Sequence, residues 1–158
     1  MCMIKNIIRK LLSAVIPAFF AMLTISLLAY IISLNILSMI MVVSFGATMV
    51  LMFGYPKSPF AHPKNILFGH SVTTIAGIVM CSLLQGPTFF LLGLSVGFGI
   101  YLMMIFNVVH PPAGGNPIAV VLANHTYDYL LQSIVLGAII IILLGYFIHN
   151  LILDNKYP

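Results

Sequence analysis

Five long apolar stretches, parted only by short polar interludes, leave this chain few folds to choose from. They run Leu11 to Ile32, Ile36 to Phe53, Ile66 to Leu84, Thr88 to Val109 and Tyr129 to Leu153. Each comes near the roughly 20 residues that a helix needs to cross about 30 Å of hydrocarbon. Helices are the expected form, because an unpaired backbone amide is too costly in lipid. Lys5, Arg9 and Lys10 before the first stretch imitate a secretory signal, but that stretch is overlong and further spans follow it. Only 5% of the 158 residues are charged, against about a quarter in a soluble domain. This excludes a soluble globular protein, and the lack of a dense basic patch argues against nucleic-acid binding. The expected fold is therefore all-α: one polytopic transmembrane bundle over residues 1–158, of four to six helical segments, with the lipid bilayer as its partner. Cys2 and Cys81 lie too far apart in type of surroundings to suggest a disulfide framework, and two free thiols are expected.

Polar residues gather in two places. One is the loop Gly54 to Asn65, which leads into Gly69, His70 and Ser71; the other is His110-Pro111-Pro112-Ala113-Gly114-Gly115-Asn116-Pro117. The apolar piece after it, Ile118 to Ala123, is too short to span alone. By the positive-inside rule Lys57 and Lys64 should share a side with Lys5, Arg9 and Lys10. A multi-pass protein of the inner (plasma) membrane is expected.

Sliding the chain against itself by 68 positions lays Gly46 on Gly114, Gly69 on Gly137 and Gly77 on Gly145. The same shift lays Thr48 on Asn116, Val50 on Ile118, Ile66 on Ile134 and Leu67 on Val135. Two internal repeats are expected, roughly 11–86 and 87–153, with helices interrupted at Gly46–Thr48 and at His110–Pro117. Interrupted helices in corresponding places often mark the binding site of a transporter. Three crossings per half would make the repeats inverted, and two would make them parallel.

Pro111 and Pro112 fix φ and donate no backbone hydrogen bond, so the incoming helix must end near His110. Gly114 and Gly115 admit backbone conformations closed to other residues. Asn116 before Pro117 is a strong helix start, with Asn as N-cap and Pro at the first helical position. The segment thus predicts free amides from Gly114 to Asn116 and an exposed positive dipole end, which suit an anion. Gly46 and Thr48 offer a weaker version of the same thing from the other half, across Ala47.

His110 abuts the break and is the candidate for ligand contact or protonation near neutral pH. His70, Thr73 and Thr74 share one helix face and make a polar stripe in an apolar segment. His62, His125 and His149 lie in loops or near span ends. No histidine pair has metal-ligand spacing, so neither a metal nor another cofactor is expected. Asp128 and Asp154, the two acids, fall outside the spans. Cation carriers place carboxylates along their path, so the substrate is tilted towards an anion or a neutral molecule. No Ser-His-Asp set, paired carboxylates or Cys-His pair can be assembled, and an enzyme is not expected.

The string His110 to Asn116 closely resembles the signature of the HPP family of integral membrane proteins. Phe45-Gly46-Ala47-Thr48-Met49-Val50-Leu51-Met52-Phe53 resembles that family's other hallmark. Ser58-Pro59-Phe60-Ala61-His62-Pro63-Lys64-Asn65, followed by Gly69-His70, resembles the loop after it. The resemblance covers roughly Pro17 to Leu151. It implies four spanning helices, where hydropathy gives five, and a role in transport, with cyanobacterial and plastid members linked to nitrite. The family's pattern continues Ala-Gly-Ala-Thr where this chain has Ala113-Gly114-Gly115-Asn116, a departure that bears on which ligand fits. Some members carry appended soluble domains, and none is legible here.

Together these readings point to a small transporter or channel for a small inorganic anion, nitrite first. The substrate-binding candidates are His110, Pro111, Pro112, Gly114, Gly115 and Asn116 from one segment, Gly46, Ala47 and Thr48 from the other, and His70 between them. A bundle this small favours a homo-oligomer. The alternative is a membrane scaffold or assembly subunit whose His-Pro-Pro segment only packs helices.

Overall fold

The structure is a computed structural model that describes residues 2–34, 41–154 and 156–158. Among these residues every regular element is a helix, and there is no strand. Helix α1 covers Cys2–Ser33, α2 Ser44–Gly54, α3 Pro63–Leu83, α4 Thr88–Ile105, α5 Asn116–Ala123 and α6 Tyr129–Ile152. A 3₁₀ stretch, Pro111–Gly115, runs straight into α5. Wide π turns form the end of α2 and both ends of α6.

Among the described residues four helices, α1, α3, α4 and α6, are long and apolar enough to cross a membrane. The described part of the second apolar stretch, Ile36 to Phe53, does not make a fifth. Its first residues, 36–40, and Asn35 of the expected interruption lie outside the described residues, and from Ser44 on it forms the short helix α2. Hydropathy sums side chains and cannot see that Ser44 and Thr48 turn their hydroxyls inward, starting a half-length helix.

Local chemistry sets the boundaries. Pro63 occupies the first turn of α3, and the His62 Nδ1 atom accepts the Lys64 N–H at 3.1 Å as its cap. The α4 helix stops where Asn107 enters the left-handed region at φ 52°, and α5 stops the same way at Asn124, φ 51°. Between Asn107 and Pro111 the chain is extended at His110, with φ −135° and ψ 98°. With 32 residues, α1 is about 48 Å long. It therefore outruns a bilayer core, and its basic first turns project beyond it.

Contacts give the direction of each helix. Lys10 and Ser13 of α1 face Gly54 and Tyr55 across one cleft. The Tyr157 hydroxyl donates to the Ala61 carbonyl at 2.6 Å, and burial pushes this phenol up, so it remains a donor at neutral pH. The start of α1, the loop before α3 and the C-terminal residues therefore share one end of the bundle, with Lys5, Arg9, Lys10, Lys57, Lys64 and Lys156 there. Helices α3 and α6 form the centre and are the most buried of the four, and α1 and α4 flank them with most of their surface exposed. Single cysteines at Lys5, Lys57 and Lys156, in a chain freed of its native thiols, should react with an impermeant thiol reagent from one face of the membrane. Cysteines at Gln85 and Asn124 should react from the other. Labelling of Lys57→Cys and Lys156→Cys from opposite faces would refute this arrangement.

The two short helices start back to back halfway along α3. The Ser44 hydroxyl, at the start of α2, donates to Asn116 Oδ1 at 2.6 Å, at the start of α5. Asn116 Nδ2 in turn donates to the carbonyl of His70, 3.1 Å, and lies 3.4 Å from Thr73 Oγ1; Thr73 is the central residue of α3. From this meeting point α2 runs to the basic end, where the Met52 carbonyl accepts from His149 Nε2 at 2.8 Å. Helix α5 runs the other way, with Val120 against Gly77. A side chain at Gly77 would stand 3.0 Å from the Pro117 Cα and the Val120 Cβ, so glycine is what admits α5 here. Gly145 plays the same part on α6, where an added Cβ would run into the Met52 thioether.

Candidate functional site

Four of the residues singled out in the sequence converge at this meeting point. Thr48, His70 and His110 are fully buried, and Asn116 is 1% exposed. Thr48 Oγ1 lies 3.0 Å from His70 Nε2 and 2.9 Å from His110 Nε2, bridging two imidazoles whose ring centres are 4.9 Å apart. Their approach was invisible in the spacing, since 40 residues separate them. It depends on Gly69: an added Cβ there would stand 2.8 Å from the His110 Cβ and 2.9 Å from the Val108 carbonyl oxygen. Phe45 closes the far side, its ring edge-on to His70 at 5.0 Å.

Two backbone carbonyls fix the hydrogen positions, because a carbonyl can only accept. The Phe60 carbonyl lies 2.7 Å from His110 Nδ1, so that nitrogen carries the proton and Nε2 presents a lone pair. The His70 carbonyl takes Asn116 Nδ2, which orients the amide; the same Nδ2 lies 3.0 Å from His70 Nδ1, so that nitrogen accepts. Neutral His70 then carries its proton on Nε2, aimed at Thr48. The bonds therefore run one way: Ser44 to Asn116, Asn116 to His70, His70 to Thr48, Thr48 to His110, His110 to Phe60. Each donor and acceptor in this sequence is used once, which makes a fully satisfied buried network.

The stripe on α3 is buried as a whole. Thr73 and Thr74 return their hydroxyls to the carbonyls of Gly69 and His70, at 2.9 and 2.8 Å. Among the described residues the buried polar side chains are Thr, Ser, Asn and His, with no Asp, Lys or Arg. Beside the cluster lies a cleft of about 250 Å³, lined by Val42, Val43, Ser44 and Ala47 from one half and by Pro112, Gly115, Asn116, Ala119 and Tyr129 from the other. A larger cleft, about 510 Å³, separates α1 from α2; it holds Lys10 and mostly apolar side chains and lies away from the histidines.

Several sequence expectations need correction. Asn116 does not cap α5: its side chain is spent on His70 and Ser44, Gly115 precedes the helix, and no side-chain cap bond forms. The amides from Gly114 to Asn116 are not splayed free, since Pro111–Gly115 is already helical and the Asn116 N–H donates to the Ala113 carbonyl. Neither glycine needs its special freedom; Gly115 has φ −79° and no described glycine has positive φ. Instead a Cβ at either would meet open space. The break sits earlier, in the extended His110. Helix α2 begins at Ser44, so Thr48 lies inside it, its hydroxyl also 3.2 Å from the Ser44 carbonyl. Gly46 faces the α1 cleft and not the cluster, because two residues on a helix differ by about 200°. Pro111 is exposed, while Pro112 and Ala47 line the smaller cleft.

Two contributors were missed. Ser44 was legible, since it precedes Thr48 by four residues and so shares its helix face. The Phe60 carbonyl was not, because a backbone group leaves no mark in composition.

The comparisons with known proteins agree with this architecture. The family model described as HPP, transmembrane region, matches residues 4–158. Two transmembrane proteins of Dictyostelium discoideum are each 28% identical over 150 residues, covering 90% of this chain but 53% and 48% of their own lengths. The chain thus spans about half the length of the curated relatives it matches. No solved structure matches. With the family model covering nearly the whole chain, and the His-Pro-Pro segment and the Gly46–Thr48 helix meeting at one buried cluster, this chain belongs to the HPP transmembrane family.

Proposed function

We propose that this protein is a transporter or channel for a small inorganic anion, nitrite first, in the inner (plasma) membrane. One observation carries the reading: two half-length helices start back to back at mid-depth, around a polar cluster without a formal charge. The positive end of α2 and that of the helical run beginning at Pro111 therefore flank this junction from its two sides. A carboxylate, which a cation path would favour, is missing from the buried polar set among the described residues. The cleft at the junction has room for a small ion and borders both helix starts. Ser44 and Asn116 supply its polar wall, with Gly115, Ala47 and Pro112 as its close, featureless sides. Catalysis is not proposed, because the Thr48 oxygen is already shared by two imidazoles and buried, leaving no place for a reacting carbon.

We also infer that residues 11–86 and 87–153 are inverted repeats. Under the shift of 68, Gly77 corresponds to Gly145 and Met52 to Val120. The contact of Gly77 with Val120 then has the contact of Gly145 with Met52 as its counterpart, with the halves exchanged. The flanking α1 and α4, the central α3 and α6, and the half-helices α2 and α5 pair off in the same way. The wide apolar faces of α1 and α4 would serve lipid or further copies in a homo-oligomer.

A second reading, an assembly subunit with a closed core, draws support from the complete burial of Thr48, His70 and His110. Nitrite uptake into proteoliposomes separates the two. Gly115→Leu and Ala47→Leu point into the cleft, and a Cβ at Gly115 meets nothing. Both variants should keep thermal stability within about 1 kcal/mol of wild type and cut uptake about tenfold or more. Wild-type vesicles no faster than empty ones would leave the assembly reading standing.

A further inference from the structure

The hydrogen-bond order around Thr48 has room for one more proton, in one position. We propose that His110 Nε2 is a proton-binding site and that one proton enters it with each anion carried; this rests on the anion-transport reading above.

In the neutral network Thr48 donates to His110 Nε2 and accepts from His70 Nε2. When a proton from hydronium forms an N–H bond at His110 Nε2, leaving water behind, that nitrogen becomes a donor to Thr48 Oγ1. The hydroxyl hydrogen must then leave, and an acceptor waits for it: the Ser44 carbonyl, 3.2 Å from Thr48 Oγ1. Thr48 accepts from both imidazoles and donates to Ser44, so no heavy atom has to move. The other imidazolium nitrogen, Nδ1, keeps its bond to Phe60.

His70 has no such provision. Its free nitrogen, Nδ1, faces the Asn116 amide hydrogen, and that amide cannot turn over while the His70 carbonyl holds it. A second proton would also put two cations 4.9 Å apart, ring to ring. The site thus takes one charge and no more.

The surroundings leave that charge without a competing partner. From α2 the cluster meets Ser44, Phe45 and Thr48, and from the segment before α5 it meets His110 and Asn116. From α3 it meets His70, Thr73 and Gly69. From the loop before α3 it meets the Phe60 carbonyl, on an element whose Lys57 is exposed, as is Lys64 in the first turn of α3. Met103 and Val108 pack nearby around the turn that ends α4. Tyr129 of α6 borders the cleft at Ser44 and Asn116, and His149 belongs to the basic end, against Met52 and Tyr157. An anion in the cleft is the natural counter-charge, and a desolvated pair of opposite charges costs far less than either alone. Anion and proton therefore favour each other's entry, and the loaded site is neutral.

The test is nitrite uptake into proteoliposomes holding a trapped pH-sensitive dye, with empty liposomes subtracted. Wild type should acidify the lumen by one proton per nitrite and speed up as external pH falls. Thr48→Val keeps the shape but removes the rotor; it should lose the proton movement and flatten the pH profile. Nitrite uptake in wild type with no lumen acidification overturns the proposal, as does a Thr48→Val profile matching wild type. Imidazole ¹⁵N spectra of the wild-type protein test the proton site without transport. At neutral pH His110 should be protonated on Nδ1 and His70 on Nε2, and on acidification His110 should become the imidazolium first. The opposite tautomers, or His70 titrating first, overturn it. Wild-type vesicles that take up no nitrite defeat the transport reading, while the spectra still decide the proton site.

Discussion

Gly69→Ala is expected to lower stability by about 2–3 kcal/mol and to drop Tm by roughly 5–10 °C. The new methyl would stand 2.8 Å from the His110 Cβ and 2.9 Å from a backbone oxygen, and neither is a flexible tip that can step aside. Either α3 and the His110 segment separate, or His110 turns away from Thr48. Both outcomes break the bridge between the imidazoles, so transport should fall with stability. Thermal unfolding in detergent, followed by tryptophan-free near-ultraviolet or dye signals, measures the first effect. Gly97→Ala is the control, since a methyl there meets nothing within 4 Å and gains helix propensity. Equal Tm values for the two variants would mean that the helices are not packed at Gly69 as described.

Asn116→Leu should be nearly as severe, at about 2–3 kcal/mol. The His70 carbonyl would keep its bond from Thr74. His70 Nδ1 would lose its donor at full burial, however, and the Ser44 hydroxyl would lose its acceptor. The junction of the two half-helices would then be held by packing alone. Asn116→Asp makes a sharper companion. It retains an oxygen for Ser44 and most of the volume, but sets an acid where the anion is proposed to pass. Like Asn116→Leu it takes the donor from His70 Nδ1, so Tm should fall in both variants, and the acid should lower nitrite uptake further than Leu does. Uptake by Asn116→Asp at the wild-type rate would remove Asn116 from the path.

The sequence disclosed the bundle and the two places where it is interrupted, because apolar length and proline chemistry act locally. It also disclosed His110, Thr48, His70 and Asn116 as polar residues in apolar surroundings, the kind of exception that lipid does not tolerate without a purpose. Their roles were another matter. Asn116 before Pro117 has every local mark of an N-cap, yet the Ser44 hydroxyl and the His70 ring offer its amide better partners than its own helix does. Gly46 and Thr48 sit two apart in one motif, and helical rotation sends one to α1 and the other to the histidines. The extra stretch at Ile36 to Phe53 is a similar case, since its hydropathy reports solvent and not length of helix. What could not be read was whatever joins distant residues, above all the Phe60 carbonyl that sets the tautomer of His110.

The half-helix α2 packs against a partner that is made last. Met52 and His149, joined through backbone and ring, are 97 residues apart in the chain. At about 5–20 residues per second, the ribosome needs roughly 5–20 s to deliver the second after the first. For most of that interval Thr48 and Ser44 lack His110 and Asn116, while α1 and then His70 of α3 are already made. Until α5 is made, the Ser44 hydroxyl lacks its acceptor and the Thr48 hydroxyl lacks the His110 ring. The junction of the two half-helices can therefore close only late in translation, after α5, and the basic end of α2 only after His149.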